Sequence, residues 1–267
     1  MSRPLRSSQN RDAVARKRIS GSTSGSRTRN TLSREALLEA GLGIARREDL
    51  GKLTLKKLAD EFGVTPMAVY RHFRDKAEII DGVLDLFVRE AAVTEHEGAK
   101  RPEEWRRWMS LTFHGMRRAL LETPSVIPFL GTSYSFGPGA MAVLEETLAV
   151  LRKAGLSERA AVEAFLTLAS YTIGAVGFQA AWQRPPPSEV EEELDPDFEE
   201  RLRQSRLRFE SARRSAYPNL VDLAPQLAEA MGEFPFEQGL DRILESLERQ
   251  LDRMSSGKSE HGGKGGS

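Results

Sequence analysis

Arg71 stands in the run Met67-Ala68-Val69-Tyr70-Arg71-His72-Phe73, which sets a guanidinium beside an imidazole, a phenol and a thioether. A guanidinium presents a planar fork of donors that can bond the edge of guanine bidentately. Such groups act together only on one face of a rigid element. The spacing supplies one. Val69 and Phe73 recur at i and i+4, so a helix here buries that pair and turns Met67, Tyr70, Arg71 and His72 elsewhere. Thr65 is placed to cap its start, and Pro66 stands where a missing N–H costs nothing. Upstream, Leu55, Leu58, Ala59 and Phe62 share one face of a preceding helix, which Thr54 caps and Gly63 ends in a left-handed conformation. Two short helices across a glycine turn are a helix-turn-helix signal, and the second has the size and chemistry of a major-groove reader.

The flanks extend the unit. Residues 33–48 predict an earlier helix with Leu37, Leu38, Leu42 and Ala45 inward. Asp75 and Glu78 form a capping box that opens a longer helix through Ile79, Ile80, Val83, Leu84, Phe87 and Val88, to about Val93. The run LTLKKLADEFGVTPMAVYRHFRDKAEIIDGVLD resembles the N-terminal domain of the tetracycline-repressor (TetR) family. Ala68, Tyr70, Phe73 and Lys76 fall where that family's pattern puts them. Farther on, LTLASYTIGAVGFQAAW and FPFEQGLDRILESLERQL resemble the two dimerisation helices of the family's C-terminal domain.

The resemblance implies a homodimer that reads a palindromic operator in double-stranded DNA and leaves it when a small-molecule effector binds. By matched position, Thr65, Pro66, Met67, Ala68, Tyr70, Arg71 and His72 face the DNA. Arg71 is then the base reader, with Met67 and Ala68 suited to a thymine methyl. Tyr70, His72, Lys76 and Thr54 suit phosphates, which set register rather than sequence. Lys56 is a second basic candidate. Two plainer readings stand beside these: a surface ion pair for Arg71 and a place under the following helix for Tyr70.

Tetracycline repressors hold a drug–magnesium complex with His, Asn, Phe and Glu side chains. The corresponding positions here are Ala92, Thr112, Met116, Leu130 and Phe178. Apolar groups have replaced the hard ligands, so magnesium has nothing to hold it. No metal and no cofactor are expected. The residues instead suggest an apolar pocket lined by Trp105, Trp108, Met109, Thr112, Met116, Phe129, Phe165 and Phe178. Thr112, His114 and Gln179 would be its polar anchors. Such a lining suits a hydrophobic organic effector. An aromatic and methionine stripe at helical spacing is equally the mark of ordinary core.

Composition sets outer bounds. The chain has 267 residues with 39 basic and 39 acidic side chains, so no global field points to nucleic acid. Charge is segregated: residues 1–32 are strongly basic, and 189–200 carry eight acids and no base. A basic arm beside a helix-turn-helix adds phosphate affinity, or is a solvated leader. The absence of cysteine excludes disulfides and thiolate metal sites, and fits a reducing cytoplasm. The basic N-terminus lacks the apolar stretch of a secretory signal. Residues 164–183 are free of charge and long enough to span a bilayer, but Thr167, Ser170, Tyr171, Thr172 and Gln179 favour a buried interface helix over a membrane.

No segment alternates with period two, so the class is all-α. The expected order is a disordered arm at 1–32, a DNA-binding unit at 33–78, an effector-binding and dimerisation domain at 79–254, and a flexible tail at 255–267. The larger domain is expected to contain helices opened by Pro102, at 140–154 with Met141, Leu144, Leu148 and Leu151 inward, and at 157–183. Others follow near 196–216, 221–231 and 236–254. A packaging protein would not need the second domain. Enzymatic chemistry has little to work with: His72, His96, His114 and His261 show no metal-ligand spacing. Gly257-Lys258-Ser259 lacks the glycine of a phosphate loop, since Asp252 stands in its place.

Overall fold

The computed structural model describes residues 32–92, 101–131, 137–183 and 198–261. The basic arm up to residue 31, His96, Tyr134, Phe136, the prolines at 185–187 with most of the acidic stretch, and the tail after 261 lie outside the described residues. Among the described residues there are α-helices and short 3-10 turns and no strand. The unit that the sequence suggests binds DNA comprises α1 (Arg34–Arg47), α2 (Leu55–Phe62) and α3 (Pro66–Tyr70), followed by α4 (Lys76–Ala92). The larger part contains α5 (Trp105–Glu122), α6 (Ile127–Leu130), α7 (Pro138–Lys153) and α8 (Glu158–Gln183). It continues with α9 (Phe198–Glu210), α10 (Pro218–Asp222), α11 (Ala224–Gly232) and α12 (Phe236–His261).

Local chemistry fixes the helix ends. Ser33 accepts from the Ala36 N–H at 3.1 Å, and Thr54 accepts from the Lys57 N–H at 3.1 Å. Gly63 ends α2 at φ 64°, the left-handed region that glycine enters without a Cβ penalty. Asp75 accepts from the Glu78 N–H at 2.8 Å, and the Glu78 carboxylate reaches back to the Arg74 N–H at 2.9 Å. Thr65 departs from expectation, since its side chain makes no capping bond. The Ala68 N–H that it would have served donates instead to the Thr65 backbone carbonyl at 2.9 Å. Two further differences concern length and facing. Residues 255–261, expected in a flexible tail, continue α12, and Met141, expected inward, is exposed.

Two apolar cores are formed. The first joins Leu37, Leu42, Leu58, Val69 and Phe73 of the DNA-binding unit to Val83 and Phe87 of α4, and runs on to Leu120, Val126 and Val176. Leu32 packs against it and so does not belong to a free arm. The second gathers Trp105, Trp108, Met109 and Phe113 of α5 with Leu168 of α8 and Phe236, Leu240 and Leu244 of α12. Helix α8 is long and apolar enough to cross a membrane by length and composition, but it packs against α5, α7 and α12.

The crossing of α1 and α4 is close at two glycines. A Cβ on Gly41 would stand 2.7 Å from Val83 Cγ2, and one on Gly82 would stand 2.6 Å from Leu38 Cδ2. Gly43, also in α1, meets only the end of the Arg47 side chain, at 3.2 Å. The two α1 glycines therefore respond with opposite sign. Gly41→Val should cost about 1–3 kcal/mol through overpacking. Gly43→Ala should gain up to about 1 kcal/mol of helix propensity. Urea midpoints at constant slope measure both.

Candidate functional site

The short α3 projects a mixed surface. Val69 and Phe73 are buried, while Met67 is 71% and Tyr70 50% exposed. Thr65, Pro66 and Arg71 are exposed, and Ala68 and His72 are partly so. Tyr70 therefore stands out from the helix rather than beneath α4. Among the described residues the Arg71 guanidinium has no ion-pair partner, unlike neighbouring Arg74, which pairs with Glu78 at 3.2 Å. Thr54 and Lys56 are exposed at the start of α2. Lys76 is already engaged, donating to the Gly51 carbonyl at 2.9 Å, which ties the first turn of α4 to the turn before α2. The Glu78 carboxyl lies below its ordinary range because the Arg74 backbone N–H bonds it, followed by the Arg34 and Arg74 side chains.

A second feature lies at the seam of the two cores. A partly open cavity of about 290 Å³ is lined by Phe87, Val88, Ala91 and Ala92 of α4, Thr112, Phe113 and Met116 of α5, Leu130 of α6, and facing residues of α7 and α8. Of the sequence-expected lining, Thr112, Met116 and Phe165 are brought together here. The others are placed elsewhere. Trp105, Trp108 and Met109 are buried in the second core, which α8 and α12 complete, and do not line the cavity. Phe129 packs against the first core. Phe178 is 62% exposed on the outer face of α8. The expected polar anchors also lie apart. His114 Nδ1 is 2.7 Å from the Ser110 carbonyl oxygen, with its ring edge-on to Phe236. Gln179 accepts from Arg117 at 2.9 Å, in a wider groove of about 540 Å³. That groove is larger, but it is open and carries Glu229, Glu233 and Glu237 beside Arg117. The 290 Å³ cavity is the less open of the two and has the more apolar wall, the character of an organic-ligand site.

Sequence reasoning missed the α7 wall: Ala140, Val143, Leu144 and Thr147. Leu144 is the one signal it offered, as part of a stripe expected to be core. The wall is set by a bond no periodicity reveals. Asp85, on the outer turn of α4, accepts from the N–H groups of Gly139 at 3.1 Å and Ala140 at 2.8 Å. A carboxylate from another helix thus caps α7 and complements the positive end of its dipole. The cap fits because residue 137 is a glycine, where a Cβ would strike the Asp85 carboxylate; at Gly139 a Cβ would be tight against Arg89 and Asp85, at 3.0 Å.

Residues 37–83 match the family of bacterial regulatory proteins, tetR family, and residues 97–251 match the tetracyclin repressor-like C-terminal domain. The chain belongs to the tetracycline-repressor family. It is 27% identical over 158 residues to an HTH-type transcriptional regulator of Saccharopolyspora erythraea, covering 59% of this chain and 65% of that protein. It is 30% identical over 149 residues to the class A tetracycline repressor from transposon 1721 in Escherichia coli, covering 54% of this chain and 66% of that protein. Both matches thus span just under two thirds of the relative's own length. Among solved structures, the TetR-family protein ActR of Streptomyces coelicolor, in complex with actinorhodin, shares the fold at a TM-score of 0.68 and 23% identity, with 82% of this chain and 98% of that chain covered. The family is one of regulatory proteins, not of enzymes. The tetR-family match spans α1 to α3 and the start of α4, and the C-terminal match spans α5 to α11 and most of α12.

The Asp85 bonds give a direct test of how α4 holds the cavity wall. Asp85→Ala should lower stability by about 1–2 kcal/mol, the range for loss of a helix cap. The drop is read as a shift of the urea midpoint. Asp85→Asn, which keeps one acceptor oxygen, should lose less.

Proposed function

We propose that the protein is a transcriptional repressor that binds a palindromic DNA operator as a homodimer and is released by an apolar organic ligand. The carrying observation is the exposed surface of α3 and the turn after it, where Met67, Tyr70 and an Arg71 with no ion-pair partner among the described residues are set on a buried Val69–Phe73 base. On this reading Arg71 reads a base edge, Met67 and Ala68 meet a methyl, and Thr54, Lys56, Thr65, Tyr70, His72 and Lys76 reach phosphates. Lys76 keeps further N–H donors for a phosphate while held by Gly51. The basic arm adds affinity without selectivity.

The dimer surface is the outer face of α8, completed by α12. Val162, Leu166, Phe178 and Trp182 are exposed large apolar residues along α8, and Gly174 has open space above it. Gly177 faces Ile127 of the same chain at 3.7 Å and is less suited to probe the interface. The ligand reading rests on the apolar cavity beside α4, and ActR in complex with actinorhodin supports it by shared fold. A ligand releases DNA only by binding the released state more tightly. Helix α4 lends four residues to the cavity wall and runs back to the reader, so its position is where the two states would differ. A DNA-reading protein of this kind works in the cytoplasm.

Binding-site selection with the full chain should return a two-fold symmetric sequence with half-sites about one helical turn apart. Arg71→Ala should weaken binding to it by roughly 1–3 kcal/mol and relax one base position in each half-site. Lys56→Ala should weaken all sequences alike and reduce the salt slope. An unchanged base preference in Arg71→Ala would remove Arg71 as the reader. Gly174→Arg should give monomers in light scattering and abolish operator binding; a dimer that survives it would place the interface elsewhere.

A further inference from the structure

Buried threonines of the larger domain dispose of their hydroxyls in two ways. Thr147 donates to the Val143 carbonyl at 2.7 Å, and Thr172 donates to the Leu168 carbonyl at 2.8 Å. Both satisfy the hydroxyl within their own helix, one turn back. Thr112, on α5, does not. It is 7% exposed, it lines the 290 Å³ cavity, and its Oγ1 is buried without a hydrogen-bond partner. A buried hydroxyl left unpaired is penalised relative to one that is bonded. With no bond to give up, the Thr112 hydroxyl can turn about χ1 and donate to a group held in the cavity. Its neighbours offer little competition: Thr147 is spent, and Ser170 is exposed at the rim.

Resting on the reading of this cavity as the effector site, we infer that the effector carries a carbonyl oxygen acceptor, set against Thr112 inside an otherwise hydrocarbon contact. The size agrees with a compact ring system. A cavity of 150 Å³ lined by apolar side chains holds benzene, and this one is about 290 Å³, room for a bicyclic skeleton. The walls of Phe87, Val88, Ala91, Met116 and Phe165 exclude charge, because an ionised group would find no partner there. An acceptor oxygen is different. It meets a donor whose desolvation the folded protein has already undergone.

The probes are 1-tetralone and tetralin, which differ by a carbonyl in place of a methylene, titrated into the full chain by calorimetry. Wild type should bind 1-tetralone about tenfold more tightly, equivalent to 1.4 kcal/mol. Thr112→Val should bind tetralin at least as well as wild type and lose the preference, and Thr112→Ser should restore it. Equal binding of the two probes by wild type, or a preference that survives Thr112→Val, overturns the assignment. The cavity reading is tested separately with Ala169→Phe on α8 and Val143→Phe on α7, each of which fills the space from a wall other than α5. Loss of tetralin binding in a folded filled variant keeps the cavity reading whatever Thr112 does. Tetralin binding that is absent from wild type, or persists in both filled variants, removes the cavity as the site and the Thr112 assignment with it.

Discussion

The close crossing of α1 and α4 is the contact on which the rest depends. Two glycines, Gly41 and Gly82, let the helices meet with Val83 and Leu38 filling the space where their Cβ atoms would be. Interiors at this density do not deform gradually; they shift as bodies or repack. The DNA-binding unit and α4 are therefore one mechanical piece. Leu84 and Phe87 carry the same core past the last turn of the unit and into the larger domain. Ser125 fastens the second side, donating to the Ala45 carbonyl at 2.9 Å in a buried bond between segments 80 residues apart.

From that crossing α4 runs on for 17 residues in all, about 25 Å at 1.5 Å per residue. Its far half forms a wall of the cavity, and Asp85 on its outer side holds the start of α7. One helix thus packs on α1 of the N-terminal unit, lines the cavity and holds the next wall helix. Coupling between two sites requires an element that has different contacts in two states, and α4 is placed to be that element. The cavity itself exists because the two cores do not merge fully. Met116 packs against both, and the space beside it is left unfilled.

Much of the DNA-binding unit was legible because its signals are local. Thr54, Gly63 and Asp75 each act on backbone within a few residues, and Val69 with Phe73 marks the buried face by spacing alone. Thr65 misled for a reason that is also local but not visible in residue types: its own carbonyl took the N–H its hydroxyl would have capped. The cavity was only partly legible. Periodicity marks which face of α5 is apolar, and α5 is apolar on more than one side, so Trp105, Trp108 and Met109 could not be told from Thr112 and Met116. The first three join a core that is completed by α12, a helix more than a hundred residues later. Phe178 misled in the opposite way, since an aromatic on a helix rich in small residues reads as core but stands on the face left open in a single chain. The Asp85 cap joins residues 54 and 55 apart and left no pattern to find.

The central claim is that α4 makes the cavity and the reader parts of one equilibrium. Linkage then requires that DNA alter ligand affinity by the same factor that ligand alters DNA affinity. The direct measurement is the dissociation constant of a cavity ligand such as 1-tetralone, taken once with free protein and once with protein saturated by its selected DNA sequence. The account predicts severalfold weaker binding to the DNA-bound form. Equal dissociation constants in the two states, with binding still abolished by Ala169→Phe, would contradict it.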